Sequence, residues 1–479
     1  MNLRALCVLV VQPARNRCDR LSLLWLREGR LAAEHARKAY VYGIATAAAL
    51  SGLLFGFDTA VINGALVFLK DQMRLSDFQT ELAASALLVG CLAGAAMAGG
   101  LSDRLGRKKV LMLAAVLFCA SSLGTALPRT LPEFVVARFF AGVAIGVASA
   151  LAPLYIAEVS PPGIRGRLVT LNQMAIVTGI LCAYFVNWLL AGLGPSSWRW
   201  MFATAAFPSA VFLVSLFFIP ESPRWLIQNG READALSVLR RIGGESEAAR
   251  EAAEIRASLA EQAAALGELF KPGLRRALLI AVALAIFSQV TGINTVIYYG
   301  SILFKEHGGS SSAASAIGAN VIIGTMNFLC TMVAIAAIDR FGRKPLLIVG
   351  SAGMGLALAA LGACFLLTPP PTNLILLLVV LYVGFFAISL GPVTWVYIAE
   401  LFPTKIRGRA AGIGTFTVWG ACLLVTLTFL TLISTLGPSG TFWIYAFLCL
   451  VTFIFVWRLA PETKGRSLEE IERLWHPRR

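Results

Sequence analysis

"PLYIAEVSPPGIRGR" occupies residues 153–167, and "WVYIAELFPTKIRGR" occupies residues 395–409. The two share one pattern at an offset of 242 residues, 395 less 153. Two further pairs keep nearly the same spacing. "LSDRLGRKKV" at 101–110 returns as "AIDRFGRKPL" at 337–346, an offset of 236, and "PESPRWL" from Pro220 returns as "PETKGRS" from Pro461, an offset of 241. Three unrelated motifs repeated in one order mean that the chain is two homologous halves.

What lies between the motifs is apolar. Hydrophobic residues make up 58% of the 479 residues and the mean hydropathy is +0.76, against roughly 45–50% apolar residues in soluble domains. Runs of about 20 apolar residues, enough to cross a bilayer, recur at 40–69, 78–101, 109–127, 132–157, 166–190, 198–219, 275–304, 313–338, 345–367, 373–398, 408–436 and 440–460. The expected fold is all-α and integral to the membrane: twelve transmembrane helices in two pseudo-symmetric six-helix halves. The domains read as a basic cytoplasmic tail (1–38), an N-terminal half (39–219), a helical linker (220–274), a C-terminal half (275–460) and a second cytoplasmic tail (461–479). Parallel halves of this kind build alternating-access carriers that bind substrate between them near the midplane.

The net charge of +15 would point to nucleic acid in a soluble protein, but its distribution points elsewhere. Arg104, Arg107, Lys108 and Lys109, then Arg165 and Arg167, Arg340, Arg343 and Lys344, and Lys405, Arg407 and Arg409 crowd alternate connections, while the intervening ones hold few cations. This asymmetry is that of cytoplasmic loops and puts both termini in the cytoplasm. The linker reads as helical, stopped by Gly243-Gly244 and Pro272, and is too short for a catalytic domain; a small cytoplasmic bundle bracing the two halves fits it. The stretch "MNLRALCVLVVQPARNRCDR" has an apolar run too short to span and no convincing cleavage site. It reads either as a disordered basic tail or as the product of a start codon placed too early.

Several function classes are excluded. Seven of the nine cysteines lie inside apolar spans without a CxxC pair and read as small packing residues. His35, His307 and His476 all fall outside the spans, so no metal site is expected. Gly90/Gly94 and Gly142/Gly146 are GxxxG pairs for close helix contact. They are not phosphate loops, since no GK[ST] follows, and no cofactor or ATP-driven step is implied. Neither a nucleophile–His–acid set nor a metal cluster appears in the spans, so an enzyme is not expected.

One residue breaks the apolar pattern of the first span. Asp58, in "LLFGFDTAVING" (53–64), is an acid where ionised carboxylates cost roughly 2.5–3.5 kcal/mol to insert. Such acids mark proton or ion paths with a partner nearby, and Arg138 in the fourth span is the candidate. The bland alternative is a static ion pair that fixes helix packing.

The repeated DRxGRK and YIAExxPxxIRGR motifs, with "PESPRWL", "QVTGINTVIYY", "GPVTWVYIAE" and "PETKGRSLEEI", resemble the sugar porter family of the major facilitator superfamily over residues 40–472. The resemblance implies transport of a monosaccharide or polyol, often with a proton, by a functional monomer in a plasma membrane such as a bacterial inner membrane. Proton-coupled members carry Asp at the position of Asp58 and Arg at that of Arg138. Of the sugar contacts, Gln173 matches the helix-5 glutamine, Gln289 and Asn294 the helix-7 amides, Tyr298 the adjacent tyrosine and Asn327 the helix-8 asparagine. Trp395 and Trp419 match the two tryptophans, and Phe55 is counted with them as an aromatic face.

This chain departs from the family at Ser288, where a first glutamine is common, and at Val418, commonly Gln or Asn. Ala205 stands where some members have an acid. Ile180 leans toward a hexose. Asp103, Arg104, Arg107, Glu158, Arg165 and Glu221 in one half, and Asp339, Arg340, Arg343, Glu400 and Arg407 in the other, form the expected cytoplasmic gate. Read blandly, these charges are topology signals and solvated pairs worth under about 1 kcal/mol each; their recurrence in both halves favours gating. A uniporter of the same fold and a sugar-sensing receptor are the competing readings.

Overall fold

The computed structural model describes the backbone of residues 3–161, 163–262, 272–309, 312–402 and 407–464, and their side chains except at 3–33, 260–262, 272–273, 339, 399 and 407–409. The regular elements are helical, with no strand among the described residues. The N-terminal half holds α1 (Leu3–Met73), α2 (Asp77–Leu105), α3 (Arg107–Ala126), α4 (Leu131–Glu158), α5 (Arg165–Leu190), α6 (Ser197–Ala203) and α7 (Ala206–Phe218). Three short helices follow: α8 (Pro223–Gln228), α9 (Glu232–Gly243) and α10 (Glu245–Gln262). The C-terminal half holds α11 (Pro272–Val290), α12 (Ile293–Glu306), α13 (Ala313–Phe341), α14 (Arg343–Cys364), α15 (Thr372–Ile388), α16 (Leu390–Glu400) and α17 (Arg407–Leu459).

Eleven stretches among the described residues are long and apolar enough to cross a membrane, the first being Glu34–Met73 and the last Ala410–Leu459. The last is interrupted at Gly437 (φ 71°, ψ 167°), just ahead of Pro438. It therefore contains two spans, and the total is the expected twelve. Large apolar side chains such as Phe207, Phe218 and Leu356 point outward, as a lipid-facing surface requires. The basic N-terminal stretch continues into α1 as one helix from Leu3.

Small residues set the close packing. A Cβ on Gly142 of α4 would lie 1.8 Å from the Leu87 carbonyl oxygen of α2, and one on Gly90 would lie 2.0 Å from that of Phe139. The two GxxxG pairs thus face each other across the α2–α4 crossing, where only glycine fits. The halves meet along α1 with α12, α2 with α17, and α5 with α13. The linker bundle reaches the N-terminal half through Trp225, whose Nε1 donates to the Asp103 carbonyl (2.9 Å).

Candidate functional site

Asp58 and Arg138 meet inside the N-terminal half. Arg138 Nη1 donates to Asp58 Oδ1 (2.8 Å) and Nη2 to the Asp58 backbone carbonyl (3.1 Å). The guanidinium also lies over the Phe202 ring, 5.2 Å from its centroid. The two side chains are 6% and 0% exposed, so the pair sits where an unpaired charge is most costly. Arg138 Nε is buried without a hydrogen-bond partner. The guanidinium is therefore incompletely satisfied.

The expected sugar residues cluster at a break in the seventh span. α11 stops at Val290, Gly292 takes the left-handed conformation (φ 96°), and α12 starts at Ile293. Tyr382 of α15 donates to the Thr291 carbonyl (2.9 Å) freed there. Interrupted helices with polar groups at mid-membrane are how carriers of this architecture present binding groups. At the break Asn294 Nδ2 donates to Gln289 Oε1, and Gln289 Nε2 donates to Ser288 Oγ (3.0 Å). Trp419 packs on Phe55 across the two halves, with ring centroids 5.2 Å apart.

The remaining expected contacts divide. Gln173 and Gln289 are half-buried, and Asn327 is buried. Trp395 stands exposed. Tyr298 is buried and turns its hydroxyl to Cys422 Sγ (3.9 Å) rather than to open space.

At the end of the bundle bearing the DRxGR loops, some of the expected gate residues form a cluster in each half. Arg107 holds Glu158 through Nε and Nη2 (3.2 and 3.4 Å), and its Nη1 reaches the Ser102 carbonyl and Asp103 (3.2 Å each). Glu221 accepts the backbone N–H groups of Arg107 and Lys108 (2.9 and 3.1 Å), the first residues of α3. A carboxylate there meets unpaired N–H groups and the positive end of the helix dipole. The approach is possible because Gly106 (φ 97°) has no Cβ; one would lie 2.3 Å from Glu221 Oε2.

The second half repeats this. Arg343 pairs with Glu400 (2.7 Å), while Glu462 accepts the N–H groups of Arg343 and Lys344 (3.1 and 3.0 Å) beside Gly342 (φ 91°). Burial works against ionisation of Glu462, but the N–H bonds from Lys464, Arg343, Lys344 and Thr463 outweigh it and hold the carboxyl below its ordinary range. Ser222 donates to Glu158, and Thr463 donates to Glu400 in the equivalent place.

Arg165 does not pair with Glu158; it donates to the Ser160 carbonyl (3.3 Å). Arg104 is exposed, and Arg340 lies over Phe341 (5.5 Å) while its carbonyl accepts Lys464 Nζ. The side chains of Asp339 and Arg407 lie outside the described residues.

These clusters each stay within one half. Among the described residues, the hydrogen bonds that cross between halves lie toward the opposite end. Asn63 Nδ2 donates to the Val296 and Ile297 carbonyls (3.0 and 2.8 Å), and its Oδ1 accepts the Ser301 N–H (2.9 Å). Glu81 accepts the backbone N–H and hydroxyl of Thr431 (2.8 Å each). Lys70 reaches Glu306 (2.9 Å) and Lys305 reaches Asp71 (2.8 Å). The halves are therefore closed against each other at that end.

Asn63, Glu81 and Glu462 are the polar groups that the sequence reading passes over. Glu462 was detectable as the repeat partner of Glu221. Glu81 was detectable by the rule that singled out Asp58, an acid inside an apolar run, and Asn63 as an amide inside the first of those runs. Replacing Glu158 by Ala is expected to lower the maximal rate about tenfold, the equivalent of ~1.4 kcal/mol, with the substrate KM held within about twofold. A kinetic comparison in which the maximal rate is unchanged would remove Glu158 from the moving parts.

Residues 44–475 match the family model described as Sugar (and other) transporter. Among relatives, the chain is 42% identical over 443 residues to an arabinose-proton symporter of Bacillus subtilis, covering 91% of this chain and 95% of that one. It is 39% identical over 477 residues to a D-xylose-proton symporter of Escherichia coli, covering 92% and 96%. Among solved structures, it superposes on the xylose transporter XylE from E. coli in a partially occluded inward open conformation. The TM-score is 0.80 at 36% identity, over 90% of this chain and all of that one.

Proposed function

This chain belongs to the sugar porter family, and from that premise we propose that it imports a monosaccharide together with protons by alternating access. It is a multi-pass membrane protein and not an enzyme. The observation that carries proton coupling is the buried Asp58–Arg138 pair, with one guanidinium nitrogen unpartnered. A proton arriving on Asp58 removes the charge that holds Arg138, and the released guanidinium lets the loaded halves rock; losing the proton to the cytoplasm resets the pair. The named symporters of arabinose and xylose among its relatives support this reading. The Gln289–Asn294 amides at the broken helix and the Phe55–Trp419 aromatics supply the hydrogen bonds and apolar face that a sugar ring needs.

The basic end is the cytoplasmic one by its excess of Arg and Lys, with both termini there, in a plasma membrane such as a bacterial inner membrane. On that orientation the cross-half bonds seal the external side, and the conformation faces inward. The gate residues then change partners when the cytoplasmic side closes, leaving pairs within each half for pairs between halves. One copy of the chain contains the whole path.

The test is external pH in lightly buffered, de-energised cells expressing the protein, with glucose, galactose, xylose, arabinose and myo-inositol added singly. Alkalinisation by one sugar, absent in non-expressing cells, is the expected result. Uptake of a labelled sugar without any pH change would make the protein a uniporter and Asp58 a structural residue.

A further inference from the structure

The end opposite the DRxGR loops carries few cations: Lys70, Arg74, Arg129, Arg199 and Lys305. Lys70 and Lys305 are neutralised by Asp77, Glu306 and Asp71. The three arginines are not in ion pairs among the described residues, and they line a single cleft of about 530 Å³ together with Gln72, Gln79 and Thr130. No carboxylate lines it. The nearest acid is Glu133 in the first turn of α4, which accepts the Arg129 backbone N–H (2.8 Å), bonds Thr130 and offsets part of the Arg129 charge.

Three features shape this patch. Arg74 follows the end of α1 in the left-handed conformation (φ 51°), with Leu75 N–H bonded to the Lys70 carbonyl (3.0 Å). This is the helix-ending position that glycine usually fills, so the backbone of Arg74 adopts it at a conformational cost, with the side chain exposed at the rim. Arg199 is clamped by the Ala126 and Pro128 carbonyls (2.8 and 2.7 Å) and stacked on Trp198 (4.2 Å), its charge uncompensated by an acid. The N-terminus of the 28-residue helix α4 lies beside the arginines, its positive end already met in part by Glu133 of its own first turn, which also engages Thr130.

We propose that this cleft binds a phosphate-type anion at the external rim of the N-terminal half, supplied either by an anionic lipid headgroup or by the medium. Guanidinium groups form paired, charge-assisted hydrogen bonds to phosphate oxygens, and an anion relieves the crowding of like charges. Bound there, it ties the ends of α1 and α4 to the start of α6, none of which carries the sugar or proton residues at that level.

The experiment uses the full-length protein in neutral detergent at constant ionic strength, with phosphatidylglycerol, phosphatidylcholine or inorganic phosphate added. Bound ligand is counted by native mass spectrometry, and the melting temperature is followed in parallel. Saturable binding is expected, weakened about tenfold by Arg74→Gln or Arg129→Gln and unchanged by Lys109→Gln at the opposite end. Phosphatidylglycerol alone saturating the site assigns it to a lipid headgroup; inorganic phosphate matching it assigns it to a free anion. Absence of saturable binding in the unsubstituted protein, or equal binding by the arginine variants, overturns the proposal.

Discussion

Replacing Asp58 by Asn is expected to bring the steady-state accumulation of sugar down to the external concentration while leaving sugar-for-sugar exchange intact. Asparagine keeps the size of the side chain and an oxygen for Arg138 Nη1, and the backbone carbonyl still accepts Nη2. It cannot gain or lose a proton in the physiological range. A potential of about 100 mV is worth about 2.3 kcal/mol per charge, roughly fifty-fold in concentration at one proton per sugar, and all of that drive is lost with the titratable group. Exchange survives because it needs only the loaded carrier to cross and return. Labelled-sugar accumulation and counterflow, measured on the same membranes, separate the two. Accumulation that persists in the variant would end the assignment of Asp58 as the coupling acid.

Gln289→Ala is expected to weaken sugar affinity by about 10- to 100-fold, the range that follows when sugar hydroxyls lose partners in a dry pocket at ~1–3 kcal/mol. The position matters because Asn294 donates to Gln289 Oε1 and Gln289 donates to Ser288. The amide is oriented from both sides before any sugar arrives. Asn294→Ala should therefore act partly through Gln289, and the double substitution should cost less than the sum of the singles. Counterflow KM values for the three variants check this. Independent, additive losses would mean that the two amides touch the sugar separately, and unchanged affinity would move the sugar site elsewhere.

Much of the architecture was open to reading from the chain because it is written twice. The DRxGR and IRGR loops recur at nearly one offset, and the apolar runs between them are long enough to count as spans. The glycine pairs of α2 and α4 were readable for the same kind of reason: small residues four apart in an apolar helix have few other uses. The Asp58–Arg138 pairing was also readable, since few charges lie inside the spans. Partners fixed only by the fold were not. Glu158 takes Arg107, 51 residues away, rather than its neighbour Arg165. The break at Gly292 lies within a run read as one span, and the hydroxyl that makes it tolerable comes from Tyr382. The motif around Tyr298 does not reveal that its hydroxyl lies against Cys422 Sγ. A linear reading assigns residues to helices with some success; it does not say which face of a helix wins the interior.

The seam at the end away from the DRxGR loops, external on the proposed orientation, has a consequence for how this carrier tunes itself. Sugar on that side meets the binding groups only in the fraction of molecules whose seam is open, so the dissociation constant seen from there is the intrinsic one divided by that fraction. Asn63, Glu81 and the two lysine–acid pairs hold that seam, and none of them is among the residues proposed to contact the sugar. The lysine pairs are partly exposed and screened by salt, whereas the Asn63 and Glu81 bonds are buried and are not. Such a carrier could become a high-affinity scavenger or a low-affinity, high-capacity importer through substitutions at its rim alone, with the sugar pocket left as it is.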